Sequence, residues 1–165
     1  MRTEIVKLLP RLQRLAWVLA RHPSDSEDLV QRTVERVLQQ GIYTAPIDRF
    51  DLWMFRIMKN LWIDQVRQRN RWKGVVEPIP DDNDIGDGGA MADDVLDQAE
   101  LARLKNMVEN LPEDQRLAIK LVLLGGHSYA EAAAILEIAE GTLTSRLARG
   151  RAALLKRYSE VGTRH

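Results

Sequence analysis

Thr144, Ser145, Ala148, Arg149 and Arg151 fall on one side of a helical wheel near the carboxy terminus. Their chemistry suits the reading of DNA. Small polar side chains near the start of a helix can reach base edges, and arginines beside them can bind bases or neutralise phosphates. From Thr142 to Tyr158 there are five cations and no anion. A surface helix built only for stability mixes charge signs to gain i,i+4 pairs, so this one favours a polyanion over a merely solvated basic face. A second set, Arg56, Lys59, Asn60, Ile63, Arg67 and Asn70, runs at i+3 and i+4 steps further upstream. There cations can hold a backbone, amides can read base edges and Trp62 or Trp72 can stack, which suits single-stranded or distorted nucleic acid. Spacing of this kind alone also describes a solvated helix face. Trp53 reads as core.

Catalytic chemistry finds little to work with. His22, His127 and His165 have no metal-ligand spacing and no nucleophile-base partner, and each is expected to be exposed or to cap a helix. The chain has no Cys, which excludes disulfides, a thiolate nucleophile and a Cys-based zinc site. No enzyme activity, metal or cofactor is expected.

These side chains need helices to position them, and the hydrophobic periodicity supplies helices throughout. Ile5, Leu8, Leu9, Leu12, Leu15, Ala16 and Leu19 make one buried stripe over Thr3–Arg21, closed by His22-Pro23. Ser24 and Glu27 have capping-box spacing and are expected to open a second helix through Leu38. Residues 42–49, with Pro46, read as a loop. A long helix follows from about Phe50 to Arg71, with Phe50, Trp53, Met54, Ile57, Met58 and Leu61 as its core stripe. A helix over Val95–Asn110 and another opened by Pro112 lead to Gly125-Gly126. Ser128 and Glu131 form a second capping box, starting a short helix through Leu136.

The last helix, Gly141–Tyr158, turns Leu143, Leu147, Gly150 and Leu154 to the core and leaves Arg146 and Arg157 at the margin. A short helix, a tight turn plugged by Ile138 and a longer helix form a helix-turn-helix. Its turn carries Glu137 where Gly is usual; a left-handed backbone there would cost about 1 kcal/mol, so a slightly different turn or a mildly strained one is expected. Gly150 in the helix interior costs roughly as much relative to Ala.

Length and charge set the larger organisation. The 165 residues allow one ordinary domain or two small ones, and 24 basic residues balance 24 acidic ones. That balance hides a segregation. Six cations and one anion lie between Arg56 and Lys73, whereas seven carboxylates and no cation lie between Gly74 and Asp94. The acidic stretch, with Pro78, Pro80, Gly86, Gly88 and Gly89, reads as a flexible tether. The expected fold is all-α: a domain over 1–73, an acidic linker over 74–94 and a second domain over 95–165. No apolar run reaches the roughly 20 residues needed to cross a bilayer, and no signal peptide is evident, so a cytoplasmic protein is expected.

Together these features resemble the extracytoplasmic-function sigma factors, the small sigma subunits of bacterial RNA polymerase. Asp25-Ser26-Glu27-Asp28-Leu29-Val30-Gln31 is similar to the family's region 2.2 motif. Phe50, Trp53, Ile57, Asn60, Asp64 and Arg67 are spaced like its regions 2.3–2.4. Leu111-Pro112, Gln115-Arg116 and Gly141-Thr142, followed by Ser145-Arg146, Arg149 and Arg151, look like region 4. The subgroup it resembles is that of the alphaproteobacterial general stress response.

The resemblance implies roles. Asp28, Gln31, Arg32, Glu35 and Arg36 would dock on core RNA polymerase. Arg56, Lys59, Asn60, Ile63 and Arg67 would recognise the −10 element and help melt it, with Asn60 and the 42–49 loop around a flipped base. Thr144, Ser145, Ala148 and Arg149 would face the −35 bases, with Arg146 and Arg151 on phosphates. It further implies promoter DNA and core polymerase as partners and an anti-sigma factor that covers the free protein's basic and apolar faces. A different reading is a stand-alone helix-turn-helix regulator of duplex DNA. It explains the carboxy-terminal half but leaves the basic helix and the region 2.2-like string without a use.

Overall fold

The structure, a computed structural model, describes residues 2–40, 48–73 and 98–162, with side chains as far as 160. The expected acidic tether and most of the 42–49 loop lie outside these residues. The described chain is helical and contains no strand.

Three helices build the first half: α1 (Arg2–Ala20), α2 (Pro23–Gln40) and α3 (Phe50–Lys73). Leu12, Leu15 and Leu19 of α1, Leu29 and Val37 of α2, and Met54, Met58 and Leu61 of α3 are buried together. The α1 helix ends on Arg21 in a left-handed conformation (φ 56°). The α2 helix begins at Pro23, so Ser24 lies inside the first turn and does not cap it. Proline suits this first position, where its missing N–H would be unpaired in any case. Ser26 N and Oγ instead donate to His22 O at 2.9 and 2.8 Å.

The second half holds α4 (Gln98–Glu109), α5 (Glu113–Ile119), a π-helical turn over Lys120–Leu124, α6 (Tyr129–Leu136) and α7 (Glu140–Gly162). Pro112 stands just before α5. The Ser128–Glu131 capping box forms as expected, with each side chain bonded to the other residue's backbone N–H. Leu143 and Leu147 are buried completely. Gly150 has a structural reason: a Cβ there would lie 3.0 Å from Ile119 Cγ1, so its small size lets α7 lie close on α5. Glu137 adopts the left-handed conformation, φ 61° and ψ 45°, so of the two expectations it is the strained turn, not an altered one, that the chain adopts.

The two halves are not separate bodies in this structure. Their apolar interiors join in one cluster, with α3 packed on α6 and α1 on the π-helical turn. This corrects the expected stripe of α3. Leu52 and Phe55 are buried (7% and 0% exposed), while Phe50, Trp53 and Ile57 are only half-buried. A helix covered on two sides has no single apolar face. His127 is also a correction, being neither exposed nor a cap. Its ring lies edge-on to Phe55 at 5.4 Å with the side chain 8% exposed.

Candidate nucleic-acid interface

The α7 face is built as a reading surface. Leu143 and Leu147 anchor it to the core, which turns Thr144 and Ser145 between them outward. Thr144, Ser145, Ala148, Arg149 and Arg151 are all exposed. The Thr144 hydroxyl donates to Glu140 O at 3.0 Å, which fixes its rotamer while leaving the oxygen free to accept. Arg146 is half-buried, with Nε 3.8 Å from Asp114 Oδ2. Its guanidinium is tied to α5, which suits a phosphate-side position better than a base-reading one.

The α3 residues are brought onto a common side, which the second half covers in part: Lys59 is buried and Arg56 half-buried, while Asn60 and Arg67 stay exposed. Arg56 donates from Nε and Nη2 to Ala134 O at 3.2 and 2.9 Å. Lys59, only 6% exposed, donates to Asn60 Oδ1 at 2.8 Å, and its Nζ lies 3.7 Å from Glu137 Oε2. Burial lowers the Lys59 pKa from its ordinary value, against the attraction of Glu137. Arg67 Nη2 meets Glu113 Oε1 at 3.0 Å. Asn60 is exposed and Ile63 half-buried. Trp62 is half-buried beneath the Arg69 guanidinium, 5.8 Å from the ring centre, whereas Trp72 stands 82% exposed. Trp53 stacks on Phe50 at 5.5 Å, as a residue of the core margin.

On α2 the polar side is open. Asp28, Gln31, Glu35 and Arg36 are exposed, and Arg32 is held by Gln65 Oε1 at 2.6 Å and by Asp28 at 3.8 Å. Leu29, Thr33 and Val37 take the opposite side into the bundle.

Sequence reasoning missed Lys120. It is 2% exposed, and its Nζ donates to Leu19 O, the carbonyl end of α1, at 2.9 Å. Glu109 Oε2 lies 2.8 Å from the same nitrogen and 3.5 Å from Arg21 Nη1. Burial lowers the Lys120 pKa from its ordinary value, with Glu109 opposing. Its position four residues after Arg116, amid Leu117, Ile119 and Leu121, was the available signal.

A helix-turn-helix whose second helix carries Glu140 in its first turn and then cations without an acid from Thr142 to Tyr158, joined to a bundle that presents a polar docking side and a cationic helix, defines a two-module DNA-binding protein. The comparisons give that class its family. The Sigma-70 region 2 model matches residues 5–72, and the Sigma-70, region 4 model matches residues 101–154. The ECF RNA polymerase sigma factor EcfG of Rhodopseudomonas palustris is 32% identical over 161 residues, covering 93% of this chain and 82% of that one. The ECF sigma factor SigE of Mycolicibacterium smegmatis is 35% identical over 143 residues, 86% of this chain but 54% of SigE, so the chain spans about half of that relative. The sigma factor RpoE of Bartonella quintana, solved in complex with the anti-sigma factor NepR, superposes with a TM-score of 0.68 at 29% identity, over 94% of each chain. The chain belongs to the extracytoplasmic-function sigma factors of RNA polymerase.

Among the described residues no helix is long and apolar enough to cross a membrane, and no three His, Asp or Glu side chains are grouped to hold a metal ion.

Proposed function

We propose that this sigma factor joins core RNA polymerase through Asp28, Gln31, Arg32, Glu35 and Arg36 and directs initiation at promoters read at two elements. Thr144, Ser145, Ala148 and Arg149 contact the −35 bases, with Arg146 and Arg151 on flanking phosphates. Arg56, Lys59, Asn60, Ile63 and Arg67 serve the −10 element. The working boundaries are 1–73 for the polymerase and −10 module, 74–94 for the linker and 95–165 for the −35 module. The role is one of binding and positioning, without bond-making chemistry of its own, and it is exercised in the cytoplasm. The resemblance to the general-stress-response subgroup makes the regulon a stress-response one, and by likeness to RpoE, solved with NepR, an anti-sigma factor controls access to it.

The observation that carries this reading is the exposed side of α7, cationic beyond Glu140 in its first turn, on the same chain as the open polar side of α2. The test is co-elution with core polymerase, followed by transcription from a promoter selected by the holoenzyme. Promoter binding by the isolated chain as tight as that of the holoenzyme would favour a stand-alone regulator.

Two substitutions probe the residues. Arg149→Ala is expected to weaken −35 binding by roughly 1–3 kcal/mol and to relax base preference there, measured on a panel of −35 variants. Unchanged preference would assign Arg149 to phosphates alone. Asn60→Ala is expected to slow open-complex formation while core binding persists, read by permanganate footprinting beside co-elution. Because the Asn60 side chain is exposed and touches Lys59 only through Oδ1, loss of core binding would instead mean a structural role.

A further inference from the structure

The last turns of α3 end in an apolar notch. Trp72 is 82% exposed and, with Gln65, Gln68 and Arg69, lines a shallow cavity of about 270 Å³ whose wall is mostly carbon. A lone exposed ring is ordinary on a protein surface. Here the ring closes one end of a cavity whose other walls are held still. Arg32 of α2 donates to Gln65 Oε1 at 2.6 Å. Arg69 donates to Asp25 Oδ1 at 2.9 Å while its guanidinium lies over Trp62. Side chains fixed before binding lose little freedom when a partner arrives.

Direction decides what can fill the notch. At about 100° per residue, Trp72 lies about 120° from Asn60, about 140° from Arg67 and about 180° from Ile63 around the helix. The notch therefore faces away from the −10 stripe. Glu113 and Ala134 of the second half meet that stripe at Arg67 and Arg56 and leave Gln68 and Trp72 exposed. The notch opens instead beside α2, whose antiparallel run brings Arg32 to Gln65 and Asp25 to Arg69. Arg32, with Asp28 at 3.8 Å, belongs to the polar docking side of α2. That side and the notch are thus one continuous surface, with a carbon-walled pocket at the margin of a charged face. Aromatic anchors in pockets, bordered by polar groups, carry most of the energy of protein interfaces.

We propose that the notch is part of the surface for core RNA polymerase, with Trp72 as its aromatic anchor. An apolar side chain of the polymerase enters between the indole and Gln68 as the polymerase docks on α2. Single-stranded DNA can also stack on an indole, but the notch points away from the stripe that would hold its backbone. The proposal rests on the reading of α2 as the docking side.

The test uses the full chain and core polymerase without DNA, with affinities measured by competition against the labelled parent chain. Trp72→Ala is expected to bind core roughly thirty-fold more weakly, the loss of a central aromatic anchor, and Trp72→Phe to recover most of it. Because the side chain is exposed, neither should shift the melting temperature. Val6→Ala removes another apolar side chain, 63% exposed on α1, and should bind like the parent. Hydroxyl-radical footprinting read by mass spectrometry should show the Trp72 indole protected by core polymerase alone.

Parent-like binding by Trp72→Ala, or an equal loss in Val6→Ala, would overturn the anchor. Protection that appears only once promoter DNA is added would overturn it too and hand Trp72 to nucleic acid. Glu35→Ala with Arg36→Ala separates these results from failure of the α2 reading. If that pair weakens core binding and Trp72→Ala does not, the notch alone is refuted. If neither weakens it, α2 is not the docking side and the anchor falls with it.

Discussion

Phe55→Ala is expected to destabilise the free chain by about 3–5 kcal/mol, the range for truncating a fully buried aromatic side chain. Phe55 is 0% exposed, and groups from both halves enclose it. The Arg11 guanidinium of α1 lies 5.0 Å from the ring centre, and His127 meets the ring edge-on from the second half. Beside them lies a cavity of about 140 Å³, lined also by Arg14, Leu15, Gly125, Gly126 and Glu131. Truncation would extend a polar-lined space rather than let the core collapse, so little of the loss should be recovered. Urea unfolding followed by circular dichroism gives the value. Leu29→Ala is the comparator, because α2 packs against α1 and α3 within the first half. If Leu29→Ala costs several kcal/mol while Phe55→Ala costs under about 1, then Phe55 is not enclosed in solution and the halves do not dock as described.

That comparison marks the boundary of what the sequence could disclose. Periodicity located the helices because each has at least one face buried by its own neighbours. It found Leu143, Leu147 and Gly150 on one arc of α7 and therefore the exposed reading side opposite them. The Ser128–Glu131 capping box was also legible, since it depends on local backbone geometry, whereas at Glu137 the sequence left a strained turn and an altered one both open. Contacts between the halves were not legible. Leu52 and Phe55 fall off the α3 stripe; Phe55 is met by His127 of the second half, a contact that the periodicity of α3 does not encode. Ser24 had the right spacing for a cap, but Pro23 already satisfied the first turn.

The same limit applies to the site residues. Their types and spacing name Arg56, Lys59 and Arg67 as cations that could hold a nucleic-acid backbone. Whether such a side is open depends on what packs over it, and that is set by residues some 46 to 78 positions away. The expectation that the free protein's basic faces need an outside cover is thus met in part from within the chain. Of the α3 cations, Arg56 and Lys59 are already held by groups of the second half, whereas Arg67, though paired with Glu113, stays exposed.

Lys120 is where the docking should be felt most after Phe55. Lys120→Ala is expected to lose about 2–4 kcal/mol, because it removes a buried four-carbon stem and leaves the end of α1 without its partner. The loss falls short of that for a wholly buried ion pair. The Glu109 side chain is 35% exposed and keeps Arg21 at 3.5 Å, which limits the loss although the Oε2 that faces Lys120 is itself buried. Lys120→Met should separate the two contributions. It restores the stem and escapes the desolvation that lowers the lysine's pKa, so unfolding free energy should return to within about 1 kcal/mol of the parent. It cannot donate to Leu19 O, which anchors the second half to the first. The methionine variant should therefore melt near the parent temperature yet show a wider separation than the parent between spin labels at Leu38→Cys on α2 and Leu155→Cys on α7, both exposed. If it keeps the parent's separation, apolar burial alone holds the halves together and the ammonium is only a tolerated core residue.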